Sequence, residues 1–366
     1  MKVLFIIPSL LCGGAEKLIS DILQNFDYRN FEVSLMTFYR ESVYDVPKQV
    51  RRLVPFCMDN RSYAIRSRLF GKRINNMIND KNIESCVDDY DCICSFLEGF
   101  SVNVHFKLFS HSKRNITFVH TDLSKYSDSF SQFDINPAEV YSKMDCIAFV
   151  SENSKNSFNQ VLPNVSANKV VLRNFIDTDR VLQLSKDSVG YQKDCPTIVS
   201  VGRVEKVKGF DLFIDICKEL KDLIAKFKIL IIGDGTDYAR LNKLVAENDL
   251  SEYIHLLGFQ RNPYPYIAMS DVFVSTSIAE GFPLVLCEAM TLGIPVIATK
   301  TDGAKELLGD GSGLLESRDA KSIAFGIYKL LKDSMLYRNL QIKGLDKSQS
   351  FDKSSYLKNL YSIIKG

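Results

Sequence analysis

The chain of 366 residues is 46% hydrophobic and 25% charged, which is the composition of a globular protein, long enough for two domains and too apolar for disorder. A net charge of +2 argues against a dedicated nucleic-acid binder, whose surface would be plainly basic. The nine cysteines stand singly apart from Cys92-Ile93-Cys94, and the four histidines are not clustered with them; no structural zinc site is expected, and free thiols suit a reducing, cytosolic setting.

Lys2 to Ile7 is a continuous apolar run, the pattern of a strand covered on both faces in a parallel sheet. Pro8 and Gly13-Gly14 interrupt it early and no convincing small-residue cleavage site follows, so it reads as a first strand rather than a signal peptide. No apolar stretch approaches the ~18–20 residues needed to span a bilayer, and the protein is expected to be soluble or peripheral. The loop after the first strand carries Gly13-Gly14-Ala15-Glu16, and the next helix sets Leu18, Ile19, Ile22, Leu23 and Phe26 on one face. Phe31 to Thr37 then supplies a second strand. This is a βαβ opening whose ligand edge is the first loop. Its two glycines serve either close backbone approach to a ligand or a tight turn. The dinucleotide pattern G-x-G-x-x-G is absent, which counts against a nicotinamide enzyme.

Lys48 to Arg73 is basic, holding Lys48, Arg51, Arg52, Arg61, Arg66, Arg68, Lys72 and Arg73 against the single acid Asp59. Interleaved Leu53, Val54, Phe56, Tyr63, Ile65, Leu69 and Phe70 make it partly amphipathic. Such a segment suits anionic lipid headgroups or a phosphorylated lipid acceptor, or else a solvated helix face. Cys92 to Phe96 and Ile116 to Val119 read as short buried strands, each followed by polar residues at the same sheet edge: Glu98-Gly99-Phe100 and His120-Thr121-Asp122. His120 lies where a doubly wound sheet places its ligand residues. Cys146 to Val150 is another strand, with Ser151-Glu152 as the N-cap region of the next helix. Val170 to Leu172 follows, ending in Arg173-Asn174-Phe175-Ile176-Asp177.

Asp177 to Pro196 is polar and reads as the connection between domains. A second βαβ series starts with the strand Thr197 to Val201, the basic glycine loop Gly202-Arg203-Val204-Glu205-Lys206-Val207-Lys208-Gly209 and an amphipathic helix from Phe210 to Leu220. Arg203 and Lys208, two cations on one strand-end loop, suit a diphosphate clamp that needs no metal. Lys228 to Ile232 ends in Gly233-Asp234-Gly235, a weak signal by itself, and Ile254 to Leu257 leads into Gly258-Phe259. Asp271 to Ser275 enters the stretch Glu280-Gly281-Phe282-Pro283, after which a helix runs to Gly293 and a strand follows from Pro295 to Ala298. The helix N-terminus there, with the amides of Phe282, Leu284 and Val285, makes an anion-binding end. Glu280 and Glu288 are too far apart for an acid dyad and read better as acceptors for sugar hydroxyls. A last amphipathic helix, Asp352 to Ile364, carries Tyr356, Leu357, Leu360, Tyr361, Ile363 and Ile364.

These motifs together resemble the family 4 retaining glycosyltransferases, built as two facing Rossmann-like domains with parallel sheets flanked by helices, the GT-B fold. Val201-Gly202-Arg203 with Lys208-Gly209, and Glu280 through Glu288 as an E-x7-E element, carry the resemblance most specifically. Phe118-Val119-His120-Thr121-Asp122 and the glycine loops add to it. It implies an α/β protein with an N-terminal, acceptor-binding domain over residues 1–180 and a C-terminal, donor-binding domain over 190–350. The terminal helix, 351–366, would pack back on the first domain. It implies catalytic roles for His120, Glu280, Arg203 and Lys208. Donor contacts would come from Gly13, Gly14, Asn174, Gly233, Leu257, Phe259, Gly281, Phe282, Pro283, Leu284 and Glu288, with Glu288 on the ribose diol. Phe175 departs from the glycine common at that position.

The implied activity is transfer of a hexosyl-type sugar, with retention and without a metal or other cofactor, from a nucleotide-diphosphate sugar. Uridine diphosphate is the expected carrier. The acceptor is expected to be a lipid-linked saccharide of cell-surface polysaccharide biosynthesis, at the inner face of the cell membrane. A sugar-nucleotide epimerase of the same fold, or an idle binding or scaffolding subunit, is the alternative.

Overall fold

The computed structural model describes residues 1–11, 13–55, 83, 86–125 and 136–366. The chain divides into two compact units, one formed by Met1–Asn174 with Ser354–Gly366 and the other by Phe175–Lys353.

The first unit holds a seven-stranded sheet of β1 (Lys2–Ile6), β2 (Glu32–Met36), β3 (Arg51–Leu53), β4 (Cys92–Ser95), β5 (Asn115–Val119), β6 (Cys146–Phe149) and β7 (Asn168–Val171). Their order is β3-β2-β1-β4-β5-β6-β7 and every pairing is parallel. Its helices include α1 (Gly14–Gln24), α2 (Phe100–Lys107), α3 (Pro137–Ser142) and α4 (Glu152–Val161). Val3 to Ile6 are completely buried, as a strand covered on both faces requires. Leu4 and Ile6 join Met36, Phe38 and Ile93 in one cluster, while Ile147 and Phe149 join Val119, Tyr141 and Phe158 in another. Ser151 caps α4 in a capping box with Ser154, so the helix start read from Ser151-Glu152 holds.

The second unit holds a six-stranded parallel sheet of β8 (Thr197–Val201), β9 (Lys228–Ile232), β10 (Ile254–Leu256), β11 (Val272–Ser275), β12 (Val296–Thr299) and β13 (Leu314–Glu316), in the order β10-β9-β8-β11-β12-β13. Its helices are α5 (Thr178–Leu184), α6 (Leu212–Leu223), α7 (Tyr238–Glu247), α8 (Tyr264–Ala268), α9 (Leu284–Thr291), α10 (Asp302–Leu308), α11 (Ala320–Lys332) and α12 (Ser334–Ser348). Strand residues Ile198, Ile229, Ile231, Val272, Val274 and Ile297 pack with Phe213, Ile216 and Leu220 of α6 and Ile323 and Ile327 of α11. Finally α13 (Lys353–Lys365) lies mostly in the first unit. Its Tyr361 ring sits 5.1 Å from both Phe26 and Phe31, the Tyr361 hydroxyl accepts the Asp27 N–H at 2.9 Å, and Arg114 Nε donates to the Ile363 carbonyl at 2.9 Å.

Three sequence expectations change. The supposed connection from Asp177 contains α5, capped by the Asp177 side chain and part of the second unit. Arg51 and Arg52 lie in strand β3 rather than on a helix face. There Arg51 pairs with Asp88, and Arg52 donates to the carbonyls of Tyr39 and Arg40. The remainder of that basic segment, from residue 56 onward, lies outside the described residues. Strands β3 and β13 were not read from the sequence at all.

Two histidines, buried His105 and half-buried His120, give the first unit a pH dependence. His105 Nδ1 lies 3.0 Å from Ser95 Oγ and its Nε2 3.0 Å from Asn115 Oδ1, and burial pushes its pKa down to about 3. Burial pushes His120 down to about 3 as well. Both folded values lie below the ordinary 6.5, so on acidification the unfolded chain binds protons first. Stability from these groups is complete above that ordinary value. It is lost as pH falls toward 3, by about 1.4 kcal/mol per pH unit for each histidine. Thermal melts between pH 6.5 and 5 should therefore show a shallower slope in a His105→Gln variant than in the wild type. Equal slopes would remove His105 as a source of the effect.

Candidate active site

In both sheets the strand order reverses, between β1 and β4 and between β8 and β11, and open parallel sheets hold ligands beyond the carboxyl ends of the strands at such a point. In the second unit, the loop after β8 carries Arg203 and Lys208, and the loop after β11 carries Glu280. Lys208 Nζ donates to Glu280 Oε1 at 2.6 Å, and Ser277 Oγ donates to the same oxygen at 2.7 Å. The Lys208 and Glu280 side chains retain 25% and 12% exposure, so the pair is screened less than one on the open surface. Backbone contacts fix the two loops on each other. Thr276 Oγ1 donates to the Lys208 carbonyl at 3.0 Å, and the Ile278 N–H to the Val207 carbonyl at 2.8 Å. Gly209 turns this loop with φ 61°, where a Cβ would lie 2.5 Å from the Thr276 carbonyl oxygen. Arg203 stands apart from this cluster, 44% exposed and 3.5 Å from the Glu205 carboxylate, a weak surface pairing that leaves its other donors available.

The loop before α9 differs in detail from its reading. Pro283 is the residue before the helix. The Leu284 N–H is not a free donor, because it bonds the Phe282 carbonyl at 3.0 Å; Leu286 N–H bonds that of Pro283 at 3.0 Å. Gly281 and Phe282 remain half-buried at this edge. The Gly303 N–H donates to the Glu280 carbonyl at 3.2 Å, bracing the loop from behind. Glu288 lies within α9, only 3% exposed, and its Oε1 accepts the Tyr264 hydroxyl at 3.2 Å. Tyr264, which sequence reasoning missed, therefore orients one oxygen of that carboxylate. Its spacing from Glu288 is 24 residues, across α8 and α9, so no local pattern links them.

The glycines also shape the loops themselves. Gly233 has φ 143°, and a Cβ there would lie 1.9 Å from the Gly202 carbonyl oxygen. With Gly202 N–H bonded to the Ile232 carbonyl at 3.0 Å and Val204 N–H to that of Asp234 at 2.9 Å, the end of β9 holds the Arg203 loop directly. Beyond β10, the Leu257 N–H bonds the Ile231 carbonyl at 2.9 Å and Phe259 keeps 38% exposure.

In the first unit, His120 follows β5 with its ring 5.0 Å from Phe96, and its N–H donates to Glu98 Oε2 at 2.9 Å. Its buried Nε2 has no partner among the described residues. The depressed pKa makes the imidazole neutral near pH 7, able to orient a hydroxyl or face developing positive charge without opposing it. Gly13 is extended, with φ 175°, and a Cβ there would meet Glu16 Oε2 at 2.1 Å. The Glu16 carboxylate thus lies against the side of Gly13 where a Cβ would stand, and Gly14 begins α1. Asn174 is 5% exposed, and its Oδ1 has no partner among the described residues. Also among the described residues, no group of three or more His, Cys, Asp or Glu side chains is placed to hold a metal ion.

Gly233→Ala tests the loop-on-loop reading. Positive φ and the clash with Gly202 should together cost about 1–3 kcal/mol or more in urea unfolding without any nucleotide present. A glycine kept only for a ligand would leave that stability within about 0.5 kcal/mol.

Residues 183–346 match the family model described as glycosyl transferases group 1. An N-acetylgalactosamine-N,N'-diacetylbacillosaminyl-diphospho-undecaprenol 4-alpha-N-acetylgalactosaminyltransferase of Campylobacter jejuni is 31% identical over 233 residues, 62% of either chain. An N-acetyl-alpha-D-glucosaminyl L-malate synthase of Bacillus anthracis is 28% identical over 229 residues, 60% of this chain and 59% of that one. The matched stretches thus span about three fifths of these relatives. Among solved structures, sucrose-phosphate synthase from Thermosynechococcus elongatus aligns with TM-score 0.78 at 17% identity, covering 100% of this chain and 98% of that one. Anabaena Alr3699/HepE in complex with UDP-glucose aligns with TM-score 0.76 at 20% identity, covering 100% and 99%. The chain has the fold of GT-B glycosyltransferases, and its residues 183–346 match the glycosyl transferases group 1 family.

Proposed function

We propose that this protein is a retaining glycosyltransferase that moves a sugar from a nucleotide-diphosphate donor, a UDP-sugar, to a saccharide acceptor without a metal. The observation that carries this reading is the Lys208–Glu280–Ser277 cluster where β8 and β11 end side by side. It sets a cation beside a hydroxyl acceptor. An ammonium has three donors, of which Glu280 takes one, and the others can meet diphosphate oxygens. Glu280 Oε1 is shared by Lys208 and Ser277, and the second oxygen suits a hydroxyl of the donor sugar. Arg203 adds a second, planar cation that neutralises the leaving diphosphate. Glu288, oriented by Tyr264, accepts from the ribose diol. His120 stabilises or orients the reacting sugar as a neutral imidazole.

Retention fits a site built on positioning and electrostatics, in which the leaving phosphate helps deprotonate the acceptor. The Campylobacter relative's name specifies a diphospho-undecaprenol acceptor, which supports a lipid-linked saccharide here; work at the inner face of the cell membrane is part of the same proposal. The relative named a lipopolysaccharide core biosynthesis glycosyltransferase supports a place in cell-surface polysaccharide synthesis. Among the described residues no helix is long and apolar enough to cross a membrane.

The test is a panel of UDP-sugars with the purified chain, followed by melting temperature, UDP release and product anomer by NMR. A UDP-sugar should raise the melting temperature, and the product should keep the donor's anomeric configuration. No shift with any nucleotide sugar or nucleotide would sink the reading, and an inverted product would remove retention. Arg203→Ala and Lys208→Ala should each weaken UDP binding by about 1.5–3 kcal/mol, the worth of a charged hydrogen bond. Calorimetry showing unchanged affinity in both would remove the clamp.

A further inference from the structure

Glu98 has no part in the diphosphate clamp or the helix end, yet its placement is that of a ligand group. It stands just beyond β4 and before Gly99, whose φ of 76° and ψ of −123° side-chain-bearing residues rarely adopt. From that turn the carboxyl reaches the N–H of His120, the first residue beyond β5, at 2.9 Å. The side chain therefore runs along the carboxyl edge of the sheet, from one strand end to the next.

A strand-end N–H needs only a neutral acceptor, and an ionisable one in apolar surroundings carries a desolvation cost. Burial raises the Glu98 pKa, and the Thr121 side chain and the His120 N–H oppose that rise. Beside it the His120 ring lies against Phe96, its buried Nε2 without a partner among the described residues. A carboxyl, a neutral imidazole and a threonine hydroxyl share one need: a partner that both donates and accepts hydrogen bonds and carries no charge. A phosphate would be repelled by the carboxylate. A metal would find one carboxylate and one imidazole, short of a ligand set. A sugar hydroxyl meets every requirement.

We propose that Glu98 and His120 form a hydroxyl-binding subsite for a sugar at the ends of β4 and β5, with Glu98 accepting the hydroxyl's hydrogen bond. This inference rests on the glycosyltransfer reading, and its test separates the two. UDP-sugar hydrolysis and transfer to a panel of p-nitrophenyl glycosides are measured for the wild type, Glu98→Gln and Glu98→Ala. Glutamine keeps an acceptor for the His120 N–H and so rescues a purely structural function. Transfer kcat/KM should fall at least tenfold in both variants, with UDP affinity as the check on the fold. A larger fall in transfer than in hydrolysis assigns the hydroxyl to the acceptor, and an equal fall in both assigns it to the donor sugar. Wild-type turnover in Glu98→Gln would overturn the inference alone. A wild type that neither binds nor splits any UDP-sugar would overturn the glycosyltransfer reading and this inference with it.

Discussion

The ammonium of Lys208 and the carboxylate of Glu280, 72 residues apart in sequence, meet at 2.6 Å because β8 and β11 are neighbours in a parallel sheet. Much of the second unit's carboxyl edge follows from that meeting. For the charges to pair, the two strand-end loops must lie against each other, and the Thr276 hydroxyl and Ile278 N–H bind them by backbone carbonyls rather than by side-chain fit. Close apposition of backbones leaves no room for a Cβ at Gly209 or Gly233. The glycines of this edge therefore act first on each other's loops, and any ligand meets a surface already held.

The first unit uses the same edge with the opposite electrostatics. Its strand ends present Glu98 and a neutral His120 among aromatic rings, with no basic loop comparable to 202–209 at these two strands. One sheet edge thus presents cations and the other a carboxyl beside a neutral imidazole. The difference arises from which side chains follow each strand, since the backbone order is the same in both sheets through the reversal.

Legibility in the sequence followed burial. Strands such as β1, β4, β6, β11 and β12 are buried almost throughout and read as unbroken apolar runs. β3 and β13 are three-residue edge strands, half-exposed and partly charged, so they carry no such run. α5 was missed because Val181 is its one buried residue, and a polar segment of that length shows no periodicity. Arg203, Lys208 and Glu280 were legible because charged residues beside strand-end glycines are chemically conspicuous, and Glu288 because it stands eight residues after Glu280. Tyr264 was not, since an aromatic residue after a proline reads as core until its hydroxyl partner is seen.

What the sequence determined by itself was local: which segments are strands and helices, and which residues at their ends carry charge, because these depend on side-chain hydrophobicity and spacing along the chain. Pairings were decided only by the tertiary structure. Lys208 with Glu280, Tyr264 with Glu288, Gly233 against Gly202 and Glu98 beneath His120 each join segments brought together by strand order. The neutral state of His120 belongs there too, since desolvation is a property of the packed surroundings and not of the residue.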